Sequence, residues 1–158
     1  MASARIEALI ARLEKGERKT REILGALSPE QWERCVYNGP PAWTVRDLLA
    51  HFLSAEVGLR RICQDTAAGG EGAPEGFDFD VFNTQEQARL KDRKPAELLA
   101  DLTSERQRTL DWLHTLQESD LDRIGRHPAL GMVTLETMIT AIYGHQLLHM
   151  RDLQSALE

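Results

Sequence analysis

Apolar residues recur at intervals of three and four along four long segments of this chain, and that periodicity constrains the fold more than any other feature. In the last segment, for example, apolar side chains occupy Leu135, Met138 and Ile142. Such spacing gives an α-helix one continuous apolar face, and no segment shows the persistent alternation that would indicate a β-strand. The sequence therefore predicts an all-α fold, a four-helix bundle with long or broken connections.

Capping residues and breakers indicate where the helices begin. Thr44 can cap the second helix, and Asp47 at the third helical position completes a weak capping box. That helix is expected to run to about Gln64. Pro95 suits a first helical turn and divides the third helical segment in two, and Thr134 can cap the last helix.

Three segments that contain Gly, Pro and short polar residues separate the helices. They are residues 38–43, 66–80 and 118–132. Because Gly and Pro favour turns over regular structure, all three segments are expected to be surface loops.

Length, charge and cysteine content limit the class of protein. The chain has 158 residues, which suits a single domain covering 1–158. Its net charge of -6 argues against a nucleic-acid partner, and no apolar run approaches the roughly 20 residues of a membrane helix. Charge begins at Arg5, so no secretory signal is expected in this segment. Cys35 and Cys63 form no CxxC motif and are expected to be reduced thiols in a cytoplasmic protein.

The segment "GHQLLHM" places two histidines, His145 and His149, on the last helix at an interval of four. This interval continues the apolar face of the helix, so both imidazoles are expected to point inward. Residues four apart lie roughly 5–6 Å apart at Cβ, which lets two ring nitrogens meet one metal ion at about 2.0–2.1 Å. On spacing alone, however, core histidines with hydrogen-bond partners are the commoner outcome.

A metal site needs a third ligand, and the chain offers three further histidines. His51 lies on the second helix beside the apolar face formed by Leu48 and Phe52, so it is the best candidate. His114 lies off the apolar face of its helix and is expected to be solvated. His127 precedes a proline and is expected to be a loop residue or a contact at the rim of a site.

Two motifs together resemble the DinB-like superfamily. They are "WTVRDLLAH" at Trp43–His51 and "GHQLLHMRDL" at Gly144–Leu153, and the similarity extends to "FDFDVFN" and "HPALGMVTLETMI" between them. The superfamily includes mycothiol-dependent maleylpyruvate isomerases and bacillithiol-type S-transferases. This resemblance implies a four-helix bundle in which His51, His145 and His149 match the three metal-binding positions.

Three neutral imidazoles leave at least one coordination position of a divalent ion open, as in catalytic sites. Zinc is the expected ion, and nickel or iron also suit imidazole ligands. A bound ion can activate a water or a low-molecular-weight thiol, and the resemblance favours the thiol. The expected function is a metal-dependent thiol S-transferase or hydrolase that acts on a small electrophilic substrate. The alternative is a non-catalytic bundle that binds a small molecule or a partner, with a structural metal or none.

Two carboxylates are candidates for orienting the imidazoles through their second nitrogens. Glu56 follows His51 by five positions, and Asp152 follows His149 by three. A solvated helix carboxylate is the alternative interpretation of each.

Other polar and aromatic residues admit two interpretations. Four arginines could bind carboxylates of a thiol cofactor or lie on the surface, namely Arg46, Arg60, Arg61 and Arg151. Tyr143 and Trp43 could line a pocket or pack in the core. A homodimer is plausible because symmetric pairs are the commonest oligomers of soluble proteins.

Overall fold

Four long helices form the bundle in the computed structural model, which describes residues 3–158. They are α1 (Ala4–Gly25), α3 (Val45–Ala67), α5 (Pro95–Leu113) and α6 (Leu135–Leu157), with the short helices α2 (Pro29–Trp32) and α4 (Phe79–Leu90) and a 3₁₀ helix (Glu118–Asp122) in the connections. The predicted all-α four-helix bundle is therefore confirmed. No helix within residues 3–158 combines the length and the apolar character that crossing a membrane requires.

The predicted helix starts agree with the structure. The Thr44 hydroxyl accepts a hydrogen bond from the Asp47 N–H, and the Asp47 carboxylate accepts one from the Thr44 N–H, so the capping box is complete. The Thr134 hydroxyl caps α6 through the Thr137 N–H. Pro95 is the first residue of α5, but α3 continues three residues beyond the predicted Gln64.

Two β-hairpins occupy parts of the segments expected to be loops, and this corrects the sequence prediction. Strands β1 (Cys35–Asn38) and β2 (Ala42–Thr44) pair antiparallel, as do β3 (Ile124–His127) and β4 (Gly131–Thr134). Strands of three or four residues are too short for an alternating pattern to be recognised. β2 leads directly into α3 and β4 directly into α6, so each hairpin fixes the start of a long helix.

The buried apolar residues form two clusters at opposite ends of the bundle. One cluster joins the start of α1 and α6 to the end of α3 and α5, and the other joins the end of α1 and α6 to the start of α3 and α5. Between the clusters each long helix contributes buried polar side chains, which include Thr20, Glu56, Arg106, Thr109 and Gln146. The bundle therefore has a polar layer at its middle.

Candidate metal centre

The three predicted histidines meet between α3 and α6. The His145 Nε2 atom lies 3.0 Å from the His51 Nε2 atom and 3.2 Å from the His149 Nε2 atom. One ring nitrogen from each of the three residues lies within 4.8 Å of the other two. Three nitrogens bound to one tetrahedral ion at about 2.0–2.1 Å would lie about 3.3–3.4 Å apart, and both distances from the His145 nitrogen are close to this spacing.

Tyr37 on β1 determines which nitrogen of His149 is free. Its hydroxyl donates a hydrogen bond to the Asp152 carboxylate over 2.6 Å and lies 2.8 Å from the His149 Nδ1 atom. Because the hydroxyl has one hydrogen and gives it to Asp152, it accepts from the Nδ1–H group. The His149 Nε2 atom therefore carries a lone pair directed at the other two imidazoles, as a metal ligand requires.

Burial keeps these imidazoles neutral. Desolvation, with a smaller contribution from the neighbouring imidazoles, lowers the pKa of His51 to about 3. Desolvation and the nearby His149 and His127 lower the pKa of His145 to about 4. Desolvation also lowers the pKa of His149, against the opposing influence of the Asp152 charge. All three side chains therefore offer lone pairs to a cation at neutral pH.

The first hairpin covers the cluster with aromatic rings. The Trp43 ring lies 4.9 Å from the His51 ring, and the Tyr37 ring lies 5.8 Å from the His149 ring, centroid to centroid. The His51 Nδ1 atom is buried without a hydrogen-bond partner among residues 3–158, so packing against Trp43 holds this ring. Trp43 thus belongs to the surroundings of the site. Tyr37 was not predicted, because a four-residue strand gives no signal that its side chain faces the histidines.

The two predicted orienting carboxylates differ in outcome. Asp152 reaches His149 only through the Tyr37 hydroxyl. The prediction for Glu56 is wrong, because its carboxylate accepts hydrogen bonds from Arg106 over 2.8 and 3.0 Å and from the Thr109 hydroxyl over 2.8 Å. Five residues correspond to about 140° around an α-helix, so Glu56 points away from the face that carries the histidine.

Because of the polar layer, the residues of α6 that are buried differ from those expected. Arg106 donates to the Gln146 amide oxygen over 2.8 Å, and the Gln146 amide nitrogen donates to Thr20 over 2.9 Å. Gln146 and Met150 are buried, whereas His145 and His149 are half-buried at the edge of the apolar face. The expectation that the histidines continue the buried face is therefore only partly correct, because Gln146 takes the central position with its polar groups satisfied.

Two of the four candidate arginines serve the fold. Arg46 donates to the carbonyl groups of Leu90 and Arg93, and Arg60 forms an ion pair with Glu105 at 2.5 Å. The other two, Arg61 and Arg151, are exposed and make no ion pair among residues 3–158.

The remaining candidates also have local roles. His114 is exposed at the end of α5, as expected. His127 ends β3, where its Nδ1 atom accepts the N–H groups of Ala129 and Leu130 over 3.1 Å. The Cys63 thiol is buried, which with the nearby Glu56 charge raises its pKa to about 12.

A cleft adjoins the histidine cluster on the side of the first hairpin. It has a volume of about 810 Å³ and lies between that hairpin and α4. Tyr37 and Trp43 belong both to its wall and to the aromatic cover of the histidines. The volume falls within the roughly 300–1,000 Å³ typical of small-molecule sites, and the shared residues bring the cleft next to the imidazoles.

Solved structures with this fold are known, although they share little sequence with the chain. YfiT from Bacillus subtilis, a probable metal-dependent hydrolase with an unusual four-helix bundle topology, is 18% identical with a TM-score of 0.79, over 99% of this chain and 87% of YfiT. A mycothiol-dependent maleylpyruvate isomerase is 17% identical with a TM-score of 0.75, over 94% of this chain but only 60% of the isomerase. The colibactin self-resistance protein ClbS, solved in complex with a dsDNA, is 17% identical with a TM-score of 0.70, over 94% of each chain.

The ClbS complex bears on the expectation that nucleic acid is not a partner. At this identity the similarity establishes the fold alone, and the fold is one that a DNA-bound protein also uses. The argument from the net charge of -6 therefore stays a prediction.

Sequence comparison identifies the family. No curated protein matches the chain. The sequence pattern of the DinB superfamily matches residues 12–153, which include the first hairpin and all three clustered histidines. The chain therefore belongs to the DinB superfamily.

Proposed function

We propose that this chain is a metal-dependent enzyme in which His51, His145 and His149 hold one divalent ion. Zinc is the expected ion, because three imidazoles with an open position form a known catalytic zinc site, and nickel or iron suit the same ligands. One observation carries the proposal: three Nε2 atoms converge while Tyr37 fixes the tautomer of His149.

The proposed reaction is transfer of a small thiol to an electrophilic substrate, with water as the second candidate nucleophile. A divalent ion, when bound, lowers the pKa of a coordinated thiol or water and so supplies a nucleophile near neutral pH. Membership of the DinB superfamily supports the proposal. The fold shared with a mycothiol-dependent isomerase and with YfiT supports the thiol and the water respectively.

The residues around the cluster have definable tasks in this proposal. Tyr37 and Asp152 hold the His149 ring in one tautomer and one orientation. Trp43 against His51 and Phe52 against His149 exclude water from the sides of the imidazoles. In this proposal the cleft beside Tyr37 and Trp43 holds the small-molecule substrate next to the imidazoles that these two rings cover.

The alternative, a non-catalytic bundle with a structural metal, fits less well. Structural zinc sites normally have four protein ligands. Within residues 3–158, the three histidines are the one group of three or more potential ligands, and no cysteine or carboxylate joins them. An ion held there keeps a position for an exogenous ligand.

An activity assay tests the proposal. Wild type, His149→Ala and the matched control His114→Ala would be loaded with zinc, nickel or iron. In one assay, each protein would receive a panel of small thiols together with an aryl halide electrophile. In a second assay, it would receive a panel of esters and no thiol. We expect metal-dependent loss of thiol with wild type and the control, and none with His149→Ala. Ester cleavage with the same pattern would assign water as the nucleophile. No turnover by metal-loaded wild type in either assay would refute the proposed enzymatic function.

A further inference from the structure

We propose that a cavity between α1 and α6, away from the histidine cluster, binds a small organic anion with an apolar body. The cavity has a volume of about 130 Å³, and Arg106 of α5 contributes to its lining. An apolar cavity of about 150 Å³ holds benzene, so the space suits a ligand of roughly six to eight non-hydrogen atoms. It is a site separate from the proposed metal chemistry.

The cavity and the histidines occupy different faces of α6. The residues of α6 that line the cavity are Tyr143, Gln146, Leu147, Met150 and Gln154. Successive residues are about 100° apart on an α-helix, so the centre of this set is about 135° from the direction midway between His145 and His149. A ligand in the cavity would therefore not occupy the open position at the metal centre.

The charges around the cavity favour an anion. Lys15 and Lys19 are exposed residues four positions apart on α1, so both side chains lie on the same side of the cavity that they line. Neither lysine forms an ion pair in the described part of the chain, and no carboxylate belongs to the lining. The Arg106 guanidinium is balanced by Glu56. The lining of this cavity therefore includes two lysines without an ion pair, on a chain of net charge -6.

The rest of the lining indicates a ligand with one charged end. Ile23, Leu147 and Met150 provide an apolar wall. The Thr20 hydroxyl and the Gln146 amide already bond to each other over 2.9 Å, so they do not require a second polar group on the ligand. A short monocarboxylate satisfies both requirements, because its chain can contact the apolar wall while its carboxylate meets the lysines.

Gly16 contributes to the shape of the cavity. A Cβ atom at this position would lie 2.8 Å from two ring carbons of Tyr143, which is closer than van der Waals contact allows. The glycine therefore lets the Tyr143 ring lie directly against α1, and the ring forms part of the cavity wall.

Calorimetric titration of the metal-free full chain tests the proposal at low ionic strength. The probes are straight-chain carboxylates from acetate to octanoate, with butyramide as the uncharged match of butyrate. We expect the affinity to peak at an intermediate chain length. Butyramide should bind at least about tenfold more weakly than butyrate, because it lacks the charge. No binding by any carboxylate, or equal binding of butyrate and butyramide, would overturn the proposal.

Two variants locate the site. The double variant Lys15→Gln/Lys19→Gln removes the charges, and Leu147→Trp fills the cavity. The control Arg12→Gln/Lys91→Gln removes the same total charge at exposed positions outside the lining. We expect the lysine double variant to weaken binding about tenfold and the control to leave it within about twofold. Equal weakening by both double variants would show a general charge effect and refute the site, and so would unchanged binding by a folded Leu147→Trp.

Discussion

The Glu56–Arg106 ion pair at the centre of the bundle gives the sharpest prediction about stability. Both side chains are almost completely buried, with exposed fractions of 1% and 2%. Arg106 donates two hydrogen bonds to Glu56, one to the Leu13 carbonyl and one to the Gln146 amide oxygen. Replacement by methionine removes all four bonds and leaves the Glu56 carboxylate buried without its counter-charge.

The size of the effect follows from these contacts. Removing one partner of a buried ion pair costs about 3–5 kcal/mol, because the remaining charge is desolvated and uncompensated. The Thr109 hydroxyl still donates to Glu56, which favours the lower half of this range. The double variant Glu56→Gln/Arg106→Met removes both charges of this pair, so we expect it to recover at least about half of the loss.

Urea denaturation followed by circular dichroism measures these free energies of unfolding on the metal-free protein. The control is Arg108→Met on the same helix. Arg108 forms an ion pair with Glu105, but its side chain is 67% exposed. We expect the control to cost less than about 1 kcal/mol. A loss below about 1 kcal/mol for Arg106→Met, or a double variant at least as unstable as the single one, would refute the account of the polar layer.

Three further predictions concern the site and the thiols. Tyr37→Phe should weaken metal binding about 10–100-fold in chelator competition, because the His149 tautomer is no longer held; unchanged affinity would contradict this. The pKa values of His51 and His145 are about 3 and 4, below the 6.5 of the unfolded chain, so unfolding takes up protons. The free energy of unfolding of the metal-free protein should therefore fall as the pH drops from about 6.5 to about 4, and a double His-to-Gln variant should flatten that slope. In the native state, a thiol reagent should modify the exposed Cys35 and not the buried Cys63, as mass spectrometry of peptides would show.

The helical framework could be predicted because burial imposes a period of 3.6 residues on each long helix. Thr44, Pro95 and Thr134 also identified the helix starts, since capping depends on a few neighbouring residues. The hairpins could not be predicted in this way, because β1 and β2 are too short to show a period and are held by their pairing and by contacts with helices.

The histidine cluster was predictable and its surroundings were not. The interval between His145 and His149 is a property of one helix, and the place of His51 beside the apolar face of another helix, together with the resemblance, indicated the third ligand. Arg106 and Gln146, by contrast, are ordinary surface residue types, and only their partners on α1 and α3 and their bond to each other make their burial favourable. Long-range polar pairing of this kind leaves no local pattern in the sequence.

The central claim is that three histidines from two helices share one metal ion. The most direct test is the metal content of protein purified without an affinity tag or a chelator, measured by inductively coupled plasma mass spectrometry. Wild type and His114→Ala should contain about one divalent ion per chain, and His51→Ala and His149→Ala should contain almost none. Wild type that stays free of metal after incubation with zinc, nickel and iron would contradict the claim, and so would full occupancy in both site variants.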